Sequence, residues 1–223
     1  TAMTRRLILD HPTTRPEHWL FVEDIAAKRI VSTLCLIPWR FQCGSVELTS
    51  GEMGFVGTDP QYRRRGLVRR LADRHADLLR EGDFDLTHIQ GIGGFYDRFG
   101  YAYSVPLIPD LRVSLAIATA AAKDARPLVF RRAQVDDAAI LTAMYREAVA
   151  PVALRSCRSE QEWCYLLDGP AIGEAETWLF EDEASAPVGY FRIHKTGFGD
   201  GLIVSEVALP GAWCAGSVLG RLA

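Results

Sequence analysis

The residues of this chain best suited to chemistry gather in one stretch, Val56-Gly57-Thr58-Asp59-Pro60-Gln61-Tyr62-Arg63-Arg64-Arg65-Gly66-Leu67-Val68. Arginines around a glycine, placed just before a helix, are suited to holding phosphate. Glycine has no Cβ to keep an anion at a distance, and the first N–H groups of a helix lack intrahelical partners. The helix dipole favours a negative charge there by roughly 0.3 to 2 kcal/mol. Arg63, Arg64, Arg65 and Arg69 add whole positive charges. A second stretch, Phe95-Tyr96-Asp97-Arg98-Phe99-Gly100-Tyr101, sets a phenol among apolar rings. A tyrosine with an ordinary pKa of about 10 stays protonated near neutrality and can act as a proton donor.

Such residues need a strand before the turn and a helix after it. Met53 to Val56 reads as a short buried strand, and Asp59-Pro60 breaks it. After Gly66 the apolar positions Leu67, Val68, Leu71, His75 or Ala76, and Leu78 or Leu79 fall on one side of a helix that ends at Gly82. Leu86 to Gln90 is a further strand, and a helix between two strands requires them to run parallel. Upstream, a short helix near Met3 to Leu9 precedes strands at Trp19 to Val22 and Arg29 to Ile37, which form a hairpin that residues 39–46 extend. Gly91, Gly93 and Gly94 lack the third glycine of a dinucleotide turn, because Tyr96 stands there, and read as a lead into a short helix from Phe95 to Phe99.

The alanine-rich residues 116–125 and Pro127 mark a boundary. The expected division is a first domain at 1–116, a linker at 117–127 and a second domain at 128–223. The second opens with a strand at Val129 to Arg132 and a helix running from Asp136-Asp137 to about Ala148. A helix near Ser159 to Leu167 follows, then strands at Thr177 to Glu181, Val188 to His194 and Leu202 to Ala208. Pro210 to Gly216 occupies the place of a second glycine turn but has no basic residue, so this half reads as catalytically silent. Gly197, Gly199 and Gly201 read as a hairpin turn.

Composition narrows the function. A formal charge of −3 speaks against a general nucleic-acid binder and makes the arginine cluster a local anion site. No apolar run reaches the roughly 20 residues that span a bilayer, and a soluble cytoplasmic protein is expected. The cysteines Cys35, Cys43, Cys157, Cys164 and Cys214 are widely spaced, so reduced thiols are expected and no metal site is called for. Neither a Gly-x-Ser-x-Gly elbow nor a Gly-x-x-x-x-Gly-Lys loop is found, which sets aside hydrolase and kinase readings. Cys35 lies within Leu34-Cys35-Leu36-Ile37 and reads as core rather than nucleophile.

The order Arg63-x-x-Gly66-x-Val68 resembles the pyrophosphate-binding motif of the GNAT superfamily of N-acetyltransferases, departing only at Val68. Phe95-Tyr96 with Gly100-Tyr101 resembles that superfamily's second segment. A functional unit followed by a degenerate one is similar to the enhanced intracellular survival type of acetyltransferase. The resemblance implies an α+β GNAT fold, with a mixed, mostly antiparallel sheet flanked by helices, in two tandem units. It also implies direct transfer of an acetyl group from acetyl-CoA to a primary amine, on a small molecule or a peptide. Val56, Gly57 and Thr58 would hold the pantetheine arm, with the Val56 N–H as oxyanion donor. Residues Arg63, Arg64, Arg65, Gly66, Leu67, Val68 and Arg69 would hold the diphosphate, and Tyr96 would protonate the leaving thiolate.

Glu52 and His88 are candidate bases by position alone, and acidic residues such as Asp97, Glu47 and Glu52 could attract a cationic amine. Tyr101 and Tyr103 are expected to pack in the core or on the sheet. In the family a third, sterol-carrier-like domain follows, and its terminal carboxylate is the base. This sequence stops at Ala223 and lacks an opening strand and helix, so it reads as part of a longer protein. The alternative function is a non-catalytic acyl-CoA-binding or regulatory module. Homo-oligomerisation is left open.

Overall fold

The described part of the computed structural model comprises residues 2–105, 114, 116, 117, 120, 128–168, 175–194 and 203–209. The chain divides into two compact units, one containing Thr1–Pro106 with Ala153–Cys157 and the other Leu107–Val152 with Arg158–Ala223.

In the first unit, α1 (Ala2–Leu9) and β1 (Trp19–Asp24) lead into a long antiparallel hairpin of β2 (Arg29–Cys43) and β3 (Val46–Thr58). Its turn is permitted by Gly44 at φ 57. The helix α2 (Leu67–Glu81) then returns the chain to β4 (Leu86–His88), and the sheet order is β1-β2-β3-β4. β4 runs parallel to β3, as a helical crossover requires, while the other pairs are antiparallel.

The alternation of side chains gives this sheet two distinct faces. One carries Leu34, Leu36 and Met53 and is covered by Leu71, Ala72 and Leu79 of α2. A Cβ at Gly51 would run into the methyl end of the Leu79 side chain, so Leu79 packs directly over β3 at this glycine. The opposite face carries Cys35, Ile37, Trp39, Ser50, Glu52 and His88.

The hairpin is longer than expected. β3 reaches back to Val46 through the polar Glu47 and Thr49, because pairing with β2 extends as far as Cys43↔Val46. Phe55, inside the expected buried run, is 37% exposed. β4 ends at His88 rather than Gln90, and the expected helix at 95–99 is a single 3-10 turn, Asp97–Phe99, closed by Gly100 at φ 90. A short strand β6 (Leu154–Ser156), absent from the sequence reading, pairs with β2 at Phe41 to Cys43. It is held by backbone bonds from Cys157 to Arg40 and from Gly44 to Ala153.

The second unit contains β5 (Val129–Arg132), β7 (Ala175–Glu181), β8 (Pro187–His194) and β9 (Ile203–Ala208) in one antiparallel sheet of that order. Two helices accompany it, α3 (Ala138–Val149) and α4 (Glu160–Leu167). A capping box opens α4: the Ser159 hydroxyl accepts from the Glu162 N–H, and the Glu162 carboxylate accepts from the Ser159 N–H. Leu141, Trp163, Leu179 and Tyr190 form its core. The Ala116 to Ala125 boundary lies mostly outside the described residues, and the glycine series 197–201 and Pro210 to Gly216 lie wholly outside them. Among the described residues no helix is long and apolar enough to cross a membrane.

Candidate functional site

The turn before α2 is built from the inside outward. Asp59 accepts a hydrogen bond from the Gln61 N–H at 2.9 Å and pairs with Arg29 at 3.1 Å, which folds Pro60–Tyr62 into a 3-10 turn. Tyr62 donates to Asp24 at 2.6 Å and supports Arg65, whose guanidinium lies 4.7 Å from the ring centroid. The backbone then takes positive φ twice, 62° at Arg64 and 71° at Gly66. A Cβ on Gly66 would meet nothing within 4 Å, so the bend is open.

Gly66 is the N-cap of α2 and supplies no side-chain bond. The first N–H groups of a 15-residue helix therefore lack a side-chain cap, beside four arginines. Arg63, Arg64, Arg65 and Arg69 are exposed, and none has a carboxylate partner among the described residues. Arg69 lies over Phe99 at 5.2 Å. Leu67 and Val68 are half-buried. Val68 precedes Leu71, Ala72 and His75 on the inward stripe of α2, so its departure from the motif adds bulk toward the sheet.

The strand that feeds this turn is deformed. Thr33 pairs with Gly57 and Cys35 with Gly54, so β3 has one residue more than β2 between the same partners. That bulge holds Phe55 at φ 51, with its carbonyl accepting from the Thr33 hydroxyl at 2.9 Å. On the other edge, pairing of β3 with β4 ends at Glu52↔His88 among the described residues. From Met53 to Thr58 the β4-side edge of β3 has no strand partner among the described residues, while Gly57 and Thr58 remain paired to β2 and tied to the Ser32 hydroxyl at 3.0 and 2.8 Å.

Tyr96 packs with Val56, Ile89, Phe99 and Tyr101 against Leu34, Met53, Leu71 and Ala72. No hydrogen-bond partner for its hydroxyl is found among the described residues, and burial raises its pKa, which keeps the phenol protonated. Tyr101 is half-buried and shares a 2.8 Å hydrogen bond with Thr87. Tyr103 corrects expectation: it is 83% exposed, and its hydroxyl accepts from the Gly94 N–H. It caps a loop because the chain has already left the sheet.

On the face away from α2, Glu52 Oε2 accepts from the Trp39 indole N–H at 2.7 Å, and His88 Nδ1 lies 2.7 Å from Ser50 Oγ. The His88 ring is held edge-on to Phe41 and Trp39, at 5.2 and 6.1 Å. Burial lowers its pKa and the Glu52 charge raises it by less. Ser50 and Trp39 escaped the sequence reading, since only register shows that they meet these two groups. Cys35 is 0% exposed, and burial, then the Glu52 charge, push its thiol up to about 12. It is not a nucleophile near neutrality. Glu47 lies on the surface 4.0 Å from Arg40, and Asp97 is exposed.

Pairing of β3 with its parallel neighbour thus stops before a glycine bend that leads to a helix without a side-chain cap. Residues 7–104 match the family model for the acetyltransferase (GNAT) domain. The chain is also similar in fold to a probable N-acyltransferase from Enterococcus faecalis V583, with TM-score 0.65 and 14% identity over 87% of this chain and 49% of that one. A GCN5-related N-acetyltransferase from Kribbella flavida gives 0.62 and 17% over 92% and 49%. Saccharomyces cerevisiae N-myristoyltransferase with bound myristoyl-CoA gives 0.62 and 11% over 90% and 52%. The chain thus spans about half the length of these structures. No curated protein matches its sequence.

Proposed function

We propose that this chain carries an N-acyltransferase that uses acetyl-CoA and passes the acetyl group directly to a primary amine. The observation that carries the reading is the open bend at Arg64 and Gly66, which sets unpaired arginines and an uncapped helix N-terminus at the end of the parted edge of β3. An amide-rich arm with a diphosphate at one end is complementary to that arrangement. Met53 to Thr58 offer strand-edge hydrogen bonds to the pantetheine arm, and residues 63–69 hold the diphosphate. The two members of the GNAT resemblance, the arginine-glycine turn and Phe95-Tyr96, come together beside α2, where Arg69 lies over Phe99 and Tyr96 packs in the cluster of Leu71 and Ala72.

In this reading the Val56 N–H, following the bulge, stabilises the oxyanion formed as the amine attacks the thioester. Tyr96 gives its proton to the sulfur that leaves, and a base on the Glu52 and His88 face takes one from the amine. The buried neutral thiol of Cys35 supports direct transfer over a cysteine-linked intermediate. The second unit is proposed as a degenerate acetyltransferase-like domain, a reading supported by its antiparallel sheet with two helices. A cytoplasmic protein with small-molecule or peptide acceptors completes the proposal.

The test is thiol release from acetyl-CoA with a panel of primary amines. Replacing Tyr96→Phe is expected to lower kcat by about 10² to 10⁴ while the Kd for coenzyme A stays within a few-fold. Coenzyme A binding with no amine-dependent thiol release from the unaltered protein would overturn catalysis in favour of a sensing module. No detectable binding would overturn both.

A further inference from the structure

Glu52 and His88 face each other at the last pair of the β3–β4 ladder, and sequence position does not distinguish them as bases. Their surroundings do. The Glu52 carboxylate is engaged by the Trp39 indole at 2.7 Å, so one of its oxygens already accepts a hydrogen bond. His88 is held differently. Its Nδ1 meets the hydroxyl of Ser50, a residue 0% exposed, at 2.7 Å, and its ring is wedged edge-on against Phe41 and Trp39. Its Nε2 has no protein partner among the described residues and is not among the buried unpartnered polar atoms, so that nitrogen is accessible.

An imidazole that takes up a proton becomes a donor at both nitrogens, and the inner one then needs an acceptor. Ser50 Oγ is that acceptor, fixed on the adjacent strand before any proton arrives. Glu52, the charged group facing the ring from β3, stabilises the imidazolium without being the group that accepts the proton. From β2 the ring meets Trp39 and Phe41, neither of which ionises. The Cys35 thiol on the same face stays neutral.

We infer that Ser50 is the positioning residue that makes His88, rather than Glu52, the general base of the acyl transfer proposed above. The inference rests on that reading of the site. The Nε2 lone pair takes one proton from the bound ammonium, the free amine so formed attacks the thioester carbon, and the second nitrogen proton passes through water to the Tyr96 oxygen as the C–N bond forms and the C–S bond breaks. The sulfur receives its proton from Tyr96, so the step is balanced without an oxidant, a reductant or a further reactant. Trp39 holds the Glu52 carboxylate where it can attract the cationic amine, which marks the acceptor as a protonated amine carried on an apolar body that packs on these rings.

The experiment measures kcat for thiol release against pH, with acetyl-CoA and phenethylamine, butylamine and spermidine, for the unaltered protein and for Ser50→Ala, His88→Gln and Glu52→Gln. A histidine proton NMR titration of the unaltered and Ser50→Ala proteins runs beside it. The expected result is an acid limb in the kcat profile that is missing in His88→Gln and persists in Glu52→Gln, moved to lower pH. In Ser50→Ala, kcat falls about tenfold or more, the KM for acetyl-CoA stays within about twofold, and the His88 resonance titrates about one unit lower.

An acid limb that survives in His88→Gln and vanishes in Glu52→Gln would overturn the assignment, as would a His88 titration unmoved by loss of the Ser50 hydroxyl. These outcomes leave acyl transfer itself intact. Absence of thiol release from the unaltered protein with every amine would instead overturn the proposed function and the base with it.

Discussion

His75 is the residue whose protonation the fold resists most plainly. It lies on the inward stripe of α2 at 1% exposure, with its Nε2 buried and without a protein partner among the described residues. Burial lowers its pKa from 6.5 to about 4, opposed by a smaller contribution from the Glu52 backbone carbonyl. The native ring stays neutral down to about pH 4, while the unfolded chain takes up this proton near 6.5, so the unfolded state binds more protons between those values. Stability from this residue is therefore complete above 6.5 and is lost as the pH falls toward 4. The loss at pH 5 is on the order of 2 kcal/mol. Urea unfolding at pH 7 and pH 5 should show a smaller loss in His75→Gln than in the unaltered protein. Equal losses would show that the ring is protonated without cost.

Residue type alone singled out the arginines, Gly66 and Tyr96 as candidates, because a glycine beside a run of cations is visible in one dimension, whereas the positive φ of Gly66 is visible only in the fold. Ser50 and Trp39 did not, since a serine and a tryptophan in a strand read as packing until the register sets them against His88 and Glu52.

At the scale of the element, the bend and the first turn of α2 work as one device. Gly66 holds φ 71, a conformation that costs an L residue about 1 to 2 kcal/mol. A larger side chain at Gly66 would also project into the open space beside the bend. Gly66→Val is expected to weaken coenzyme A binding strongly, and Arg64→Ala to weaken it by about tenfold or more, as loss of a charge-assisted hydrogen bond implies. Calorimetric titration of coenzyme A reads both, and the Arg64→Ala deficit should shrink as salt is raised. Wild-type affinity in Arg64→Ala would remove this turn from the ligand.

The helix was visible in the sequence because the 3.6-residue spacing of Leu67, Val68, Leu71 and His75 is strong. The bulge at Phe55 was not, because an extra residue on one strand is defined only by its partner. The early end of β4 has the same origin, since pairing stops where β3 and β4 part and not where apolar residues stop.

At the scale of the whole molecule, the two units rest on different physics. The first keeps Arg63, Arg64, Arg65 and Arg69 exposed and without carboxylate partners among the described residues, whereas the second holds an arginine in a largely buried network. Arg158 makes two 2.8 Å bonds to Glu206, and Tyr190 donates to the same carboxylate at 2.6 Å. The Arg158 guanidinium lies over Tyr145 and Trp163, 4.3 and 4.5 Å from their centroids. Burial works against ionising Glu206, and its bonds to Arg158 and Tyr190 outweigh that, so its pKa is lowered. Replacing Glu206→Gln leaves the arginine charge uncompensated and is expected to cost about 3 kcal/mol or more. Thermal unfolding followed by tryptophan fluorescence would report it, and an unchanged transition would show that the network contributes nothing.

By itself the sequence determined the elements whose signals are local: the amphipathic helix after Gly66, the parallel strand that a helical crossover compels, and the cationic glycine turn. Tertiary structure alone decided which edge of β3 stays unpaired, that residues 154–156 join the first sheet, and that Ser50 and Trp39 hold His88 and Glu52. Local spacing sets backbone preference and charge. Register and strand separation arise only when distant segments meet, and no residue carries that meeting in its own type.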